Sequence, residues 1–241
     1  MIILEDVTKA VGKREFLSGA RARLPSNRRI AVLGPSAEEK KVFIDLLGGA
    51  VMPTAGRIIR RTRVGLPPGH VGGFTADLPV RLNVAHVARL YGADIDAIVD
   101  FVAEVSDLGD DFEKPYGALS GIKKRYLIDV LAFSIPFDVY LVRDDLLRAN
   151  GRWYNKNLHS LFEARAKTSG MVIALQDEAF ARQFCDMGLV LVDGGVRVFK
   201  DIEQAITFSR SAITVEKKEK FEKRNARRKE RDRLHAIKED D

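Results

Sequence analysis

The sequence predicts an α/β domain built on an open, mainly parallel sheet. Three observations carry this reading. Short apolar runs alternate with segments of helical spacing along most of the 241 residues. The run Arg29 to Leu33 passes through a glycine-containing turn into a helical run, the strand–turn–helix setting in which a helix N-terminus binds phosphate. Charged or polar residues, Arg143-Asp144-Asp145 and Gln176-Asp177, follow two of the apolar runs, at the strand ends where open sheets bind ligands.

Composition sets the outer limits. The chain is 46% hydrophobic and 31% charged, enough for one full core. The net charge of +6 is mild; it suits an anionic surface or ligand, and no nucleic-acid partner is expected. Cys185 is the one cysteine, so no intrachain disulfide can form, which fits a reducing compartment. Met1-Ile2-Ile3-Leu4 is soon interrupted by Glu5 and Asp6, so no secretory leader is expected. No apolar run has the length of a bilayer span, and a soluble chain that reaches a membrane by docking is expected.

In order, Met1 to Val7 and Phe16 to Leu24 read as strands, the second closed by the turn Pro25-Ser26-Asn27. Arg29 to Leu33 is an apolar strand, and Lys40 to Leu47 a helix stopped by Gly48-Gly49. Arg57 to Val64 is a basic strand. Gly65 to Phe74 holds too many Gly and Pro residues for a regular element, and a loop of that length tends to be functional. Val80 to Tyr91 and Asp94 to Leu108 have helical spacing; Leu82, His86 and Leu90 share a face, as do Ile95, Ile98, Val102 and Val105.

Tyr116 to Gly121 opens a helix reaching about Phe133. Lys123, Lys124 and Arg125 sit in its first turn, where cations oppose the helix dipole, an arrangement better explained if an anion binds there. Val139 to Val142 and Met171 to Leu175 are buried-type strands, with a helix from Trp153 to Ala166 between them and another from Glu178 to Cys185 after them. Leu189 to Phe199 is a hairpin turning at Asp193-Gly194-Gly195, and Asp201 to Ser209 is the last helix.

The chemistry centres on Gly34-Pro35-Ser36-Ala37-Glu38-Glu39-Lys40-Lys41, followed by Val42. Against the phosphate-loop pattern G-x-x-x-x-G-K-[ST], Gly34 and Lys40 fit, Glu39 replaces the second glycine, and Lys41 replaces the hydroxyl residue. That glycine lets backbone N–H groups curl round a phosphate, whereas Glu39 brings a carboxylate toward a polyphosphate. The hydroxyl ligates Mg²⁺, which a lysine cannot do. Lys40 could still hold β- and γ-phosphates, so weak ATP binding is retained as an expectation while Mg²⁺ binding is not. A plain strand–turn–helix accounts for the same residues, and spacing leaves both readings open.

His70 and His86 have no second ligand at metal spacing, so no metal site is expected. Cys185 reads as a buried small hydrophobe. From Glu216 to Asp241 the chain is dense in Lys, Arg and Glu, and Phe221, Leu234 and Ile237 are too sparse for a heptad seam. This stretch reads as a solvated helix or disordered tail, or as a basic arm on anionic lipid.

The order of these features resembles that of ABC transporter ATP-binding subunits, and within them the subunits that energise export of capsular polysaccharide and related cell-surface glycans. The residues carrying the resemblance are Gly72-Gly73-Phe74, Asn83-Val84, Val87-Ala88-Arg89-Leu90-Tyr91, a signature-like Leu119-Ser120-Gly121-Ile122-Lys123, and Phe137 to Val142 leading into the Walker B position. The likeness covers about residues 1 to 208.

It implies a P-loop NTPase-like ABC ATPase fold: a mainly parallel sheet, an antiparallel N-terminal β portion, a helical insert over about 75 to 135, and a separate charged stretch over 209 to 241. It also implies nucleotide at Gly34 to Val42 and a membrane-spanning permease touching Gly72, Gly73 and Phe74. The chain would sit peripherally on the cytoplasmic face of the inner membrane. A dimer partner would have its ATP faced by Leu119, Ser120, Gly121 and Ile122 of this chain.

The departures from the family are specific. Arg143 and Asp144 stand where the family places Asp and Glu, Gln176 replaces the switch His, Val11 the adenine-stacking aromatic, and Asn150 the D-loop Asp. Asp144 and Gln176 are left as weak catalytic candidates. The implied protein is a weakly or non-hydrolytic subunit paired with an intact paralogue. A nucleotide-independent regulator or scaffold, and a working ATPase with unusual residues, are the alternatives.

Overall fold

The structure, a computed structural model, describes residues 1–65, 73–143 and 156–215; Gly72, Asp144, Asn150 and the charged stretch 216–241 lie outside the described residues. The chain runs β1 (Ile2–Val11), β2 (Arg14–Leu24), β3 (Arg29–Leu33), α1 (Ala37–Gly48), β4 (Ala55–Arg60), α2 (Val80–Leu90), α3 (Ile95–Ser106), two short 3₁₀ turns (Gly109–Glu113 and Tyr116–Ala118) and α4 (Gly121–Ser134). It continues through β5 (Val139–Arg143), α5 (Lys156–Thr168), β6 (Gly170–Ala174), α6 (Glu178–Phe184), β7 (Met187–Val192), β8 (Gly195–Phe199) and a final helix α7 over residues 202–215.

Two sheets form. The first is antiparallel, in the order β2-β1-β4. The second is ordered β5-β6-β3-β7-β8 and is parallel except for the β7–β8 hairpin. β3 and β6 are apolar and buried on both faces, as central parallel strands must be. Along β3, Ile30 and Val32 enter a core shared with α1 and the antiparallel sheet, while Ala31 and Leu33 enter the core under the helical insert. The hairpin closes on Asp193 and Gly194, both at positive φ (50 and 70), and Gly194 O accepts from Ser18 N at 2.9 Å, fastening the two sheets together.

Some expectations shift. β1 runs on to Val11 because its polar half still pairs with β2, with Val11 opposite Arg14. α7 continues past Ser209 to residue 215. On α2, Leu82 and Leu90 do share a face with His86, but they are 50% and 59% exposed; Val80, Val84, Val87 and Ala88 form the buried stripe. The deciding residue is Asn83. It is buried, accepts from Thr75 N (2.7 Å), and donates to the carbonyls of Thr75, Leu78 and Pro79, so α2 is rotated to pin the preceding loop. Cys185 is buried, and burial pushes its thiol up to about 12, consistent with a packing role. Among the described residues no helix is long and apolar enough to cross a membrane.

α7 packs onto β7 through a close approach. A Cβ on Gly188 would lie 2.0 Å from Ala205 Cβ. We expect Gly188→Ala to lower the free energy of unfolding by about 1–3 kcal/mol, as overpacking does; urea denaturation measures this, and an unchanged midpoint would show that the α7–β7 contact is not tight.

Candidate functional site

The phosphate-type loop begins where β3 ends. Gly34 has φ 141, and a Cβ there would meet Leu191 O of β7 at 2.7 Å, so glycine is required by the sheet itself. Ser36 caps α1: its Oγ accepts from Glu39 N (3.2 Å) and its carbonyl from Lys40 N (3.2 Å). The helix therefore starts at Ala37 rather than at Lys40 as the spacing suggested. Ala37, Glu38 and Glu39 lie in its first turn, where carboxylates suit the helix dipole, instead of in a glycine-curled cradle.

The loop's charges are engaged with the protein. Arg14 forms an ion pair with Glu38 and lies 3.6 Å from Glu39. Lys41 Nζ donates to Asp45 Oδ2 at 2.6 Å, and Asp45 is only 2% exposed. Val42, on α1 itself, packs against the core. Lys40 is 5% exposed, and its Nζ donates to Leu175 O at 2.6 Å. At the Walker B position, Arg143 pairs in register with Ala174, next to Leu175. Val11, the adenine-platform position, is an exposed residue at the end of the β1–β2 hairpin.

A cavity of about 230 Å³ brings together Gly34, Pro35, Ala37, Lys40, Leu175 and Gln176, closed on its far side by Ile206, Ser209 and Ile213 of α7. Of the expected site residues it thus gathers Gly34, Pro35, Ala37, Lys40 and Gln176, whereas Ser36, Glu38, Glu39, Lys41 and Val42 do not line it. A larger basin of about 640 Å³ lies at the opposite ends of the strands. Two of its charged groups are bonded within the protein: Asp186 pairs with Arg29 at 2.6 Å, and Asp138 accepts from Arg63 N at 2.8 Å and from Thr62 Oγ1 at 2.7 Å. Those bonds hold both carboxyls below the usual range.

Leu119, Ser120, Gly121 and Ile122 form the head of α4. Leu119 is buried and anchors it, and Ser120 caps it by accepting from Lys123 N (3.4 Å). A Cβ on Gly121 would meet nothing within 4 Å. The first-turn cations, expected to call for an anion, have local partners. Lys123 and Lys114 bind Asp111, whose carboxyl they pull down to about 2, and Lys124 donates to Gly117 O at 2.9 Å.

At the expected permease contact, Gly73 (φ 96) sits against His86 of α2, and Phe74 meets Tyr116 edge-on with ring centroids 4.8 Å apart. Gly117 N donates to Ala76 O (2.7 Å) and Tyr116 N to Leu78 O (2.9 Å). The loop after Phe74 is therefore bonded directly to the 3₁₀ turn that feeds α4. Sequence reasoning missed Arg14 and Asp45 and gave Asn83 and Tyr116 no contact role, since each works through a contact whose partner is not marked by spacing.

The architecture is that of ABC-type ATPase domains. The structure superposes on a chain of an inward-facing metal-chelate type ABC transporter with TM-score 0.63 at 15% identity, covering 88% of each chain. It also superposes on a dimeric ATP-binding cassette, in a post-hydrolysis state bound to ADP and Pi, with TM-score 0.62 at 18% identity, covering 83% of this chain and 98% of that one.

By sequence the chain is a homologue of capsule export ATP-binding proteins. It is 28% identical over 215 residues to the capsule polysaccharide export ATP-binding protein CtrD of Neisseria meningitidis, covering 88% of this chain and 99% of that protein. It is 28% identical over 213 residues to the polysialic acid transport ATP-binding protein KpsT of Escherichia coli, covering 86% and 97%. No protein-family profile matches the chain.

We expect Lys41→Ser, which restores the hydroxyl of the phosphate-loop pattern, to destabilise the protein by about 1–3 kcal/mol, because it removes the cation that a buried carboxylate pairs with. Asp45→Asn in the same chain should recover most of the loss. A double-mutant cycle by urea denaturation measures the coupling; additive effects would show the two side chains to be independent.

Proposed function

We propose that this chain is the ATP-binding-type subunit of an ABC exporter of capsular or other cell-surface polysaccharide. In this reading it hydrolyses ATP weakly or not at all at its own loop. It completes the ATP site of an intact paralogous subunit through Leu119, Ser120, Gly121 and Ile122. It docks on a membrane-spanning permease at the cytoplasmic face through Gly72, Gly73 and Phe74.

The observation carrying the reading is a contrast. The charges of the phosphate-type loop are spent on Arg14, Asp45 and Leu175 O, while the head of α4 opens on free space at Gly121. Lys41 and Arg143 occupy the two metal positions, and cations do not ligate Mg²⁺, so no step is routed through a metal on this chain. Ser120, with the first-turn N–H groups of α4, would stabilise the charge developing on a partner's γ-phosphate. The neutralised loop also favours a second reading, a nucleotide-independent scaffold on the same fold.

The two readings part in a mixed dimer with the intact paralogue and permease. Ser120→Arg should lower its ATPase rate by a factor on the order of 10² to 10³, the size of a lost transition-state donor, and Lys40→Ala by much less. Equal losses, or a larger one from Lys40→Ala, would leave Leu119-Ser120-Gly121 as a mere helix start.

Docking is tested with vesicles carrying the permease. Phe74→Ala should reduce co-sedimentation severalfold, as loss of an interface aromatic does, while removal of residues from 216 onward should not. The reverse result would assign membrane attachment to the charged stretch.

A further inference from the structure

We propose that the basin at the starts of the parallel strands is a docking site for an acidic peptide segment of another protein. The strands converge there. Arg29 opens β3, Gly170 opens β6, Asp138 precedes β5 and Asp186 precedes β7. All four residues line the basin, at the end of the sheet away from the phosphate-type loop.

The charge around it is unbalanced. Arg28, Arg61 and Lys167 are exposed and form no ion pair or side-chain hydrogen bond among the described residues. Lys167 lines the basin, and Arg61 adjoins Thr62, which also lines it. Arg28 is near enough to Asp186 for its charge to add to the Arg29 bond that holds that carboxyl down. Arg63 donates to Tyr91 O at 2.7 Å, a neutral acceptor that leaves the guanidinium charge in place. Arg29 and Asp186 offset each other at 2.6 Å. Glu163, one turn before Lys167 on α5, lies 3.7 Å from His159. Against the remaining cations stand Asp138 and the C-terminal end of α5, which carries only about half an elementary charge. The balance is positive.

The lining selects the partner. The basin is a hollow of about 640 Å³, so its cations do not stand on the flat face that a bilayer would need. Asp138 and Asp186 on its floor repel the continuous charge of a nucleic-acid backbone. An extended peptide carries its carboxylates on alternate residues, roughly 7 Å apart, and can meet the cations while passing those two. Ser26, Asn27 and Ser169 line the hollow as well and can bond the peptide's backbone groups.

The test is fluorescence anisotropy on the full chain with a fluorescein-labelled peptide of alternating Asp and Ser. Saturable binding is expected, and high salt should weaken it. Arg28→Gln with Lys167→Gln should weaken it about tenfold, the scale of two exposed ion pairs lost together. Lys13→Gln with Lys200→Gln removes the same charge from surface positions outside the lining and should change it little. Melting curves establish that both double variants are folded. Absent saturable binding, or equal losses from the two double variants, would overturn the proposal. So would stronger displacement of the probe by phosphatidylglycerol vesicles or single-stranded DNA than by unlabelled peptide at equal charge, which would assign the basin to lipid or nucleic acid. None of these residues enters the exporter reading, which stands or falls by the mixed-dimer assay alone.

Discussion

A buried ammonium must have an acceptor, and much of this structure follows from where Lys40 finds one. Its Nζ reaches the carbonyl of Leu175, at the end of the neighbouring strand β6. This ties the head of α1 to the far side of the sheet. Without such an acceptor, desolvation of the cation would oppose burial of the α1 core face, where Phe43, Ile44 and Leu47 pack. The bond also sets the floor of the cavity, since Leu175 and Gln176 become neighbours of Gly34 and Ala37. Ser36 completes the arrangement by satisfying the amides of Glu39 and Lys40. None of these bonds involves a nucleotide, so the fold keeps its shape whether or not the loop retains its chemistry.

Charge compensation by near neighbours repeats across the molecule. Glu38 and Glu39 face Arg14, Lys41 faces Asp45, and Lys123 faces Asp111. The exposed pairs contribute little stability, but they decide which charges can be offered to a ligand. The loop at Phe74 and the head of α4 are joined by a different kind of contact. Phe74 touches Tyr116, and Ala76 and Leu78 accept from the backbone of the turn leading into α4. A shift of the loop would therefore carry the head of α4 with it. That is spatial connection; energetic coupling is a separate quantity.

The sheet was legible in the sequence because central parallel strands are short, apolar and bounded by turns, and the hairpin because Asp193-Gly194 suits a turn needing positive φ. The orientation of α2 was not legible. Its two candidate faces differ little in apolarity, and Asn83, a polar residue, decides between them by capturing the preceding loop. The start of α1 was displaced because Glu38 and Glu39, read as intruders in a phosphate loop, are also good first-turn residues behind a serine cap. The site was half legible. Spacing put Gly34 and Lys40 on one loop, but the partners that determine their state, Leu191 and Leu175, lie on other strands.

Glycines separate what the fold demands from what it merely tolerates. Gly34 is demanded: a side chain there would run into Leu191 O, so its presence in a nucleotide-like motif says nothing about nucleotide. Gly121 is different. Its φ is not in the left-handed region, and a Cβ there would meet nothing within 4 Å. Glycine in a helix is less stable than alanine by up to about 1 kcal/mol, and no contact among the described residues offsets that cost. The room it leaves is in front of a helix N-terminus capped by a serine, a place suited to the close approach of an anion or of another chain. The same residue type thus answers an internal constraint in one motif and none among the described residues in the other. This is why the intact appearance of Gly34 and Lys40 weighs less than the open space at Gly121.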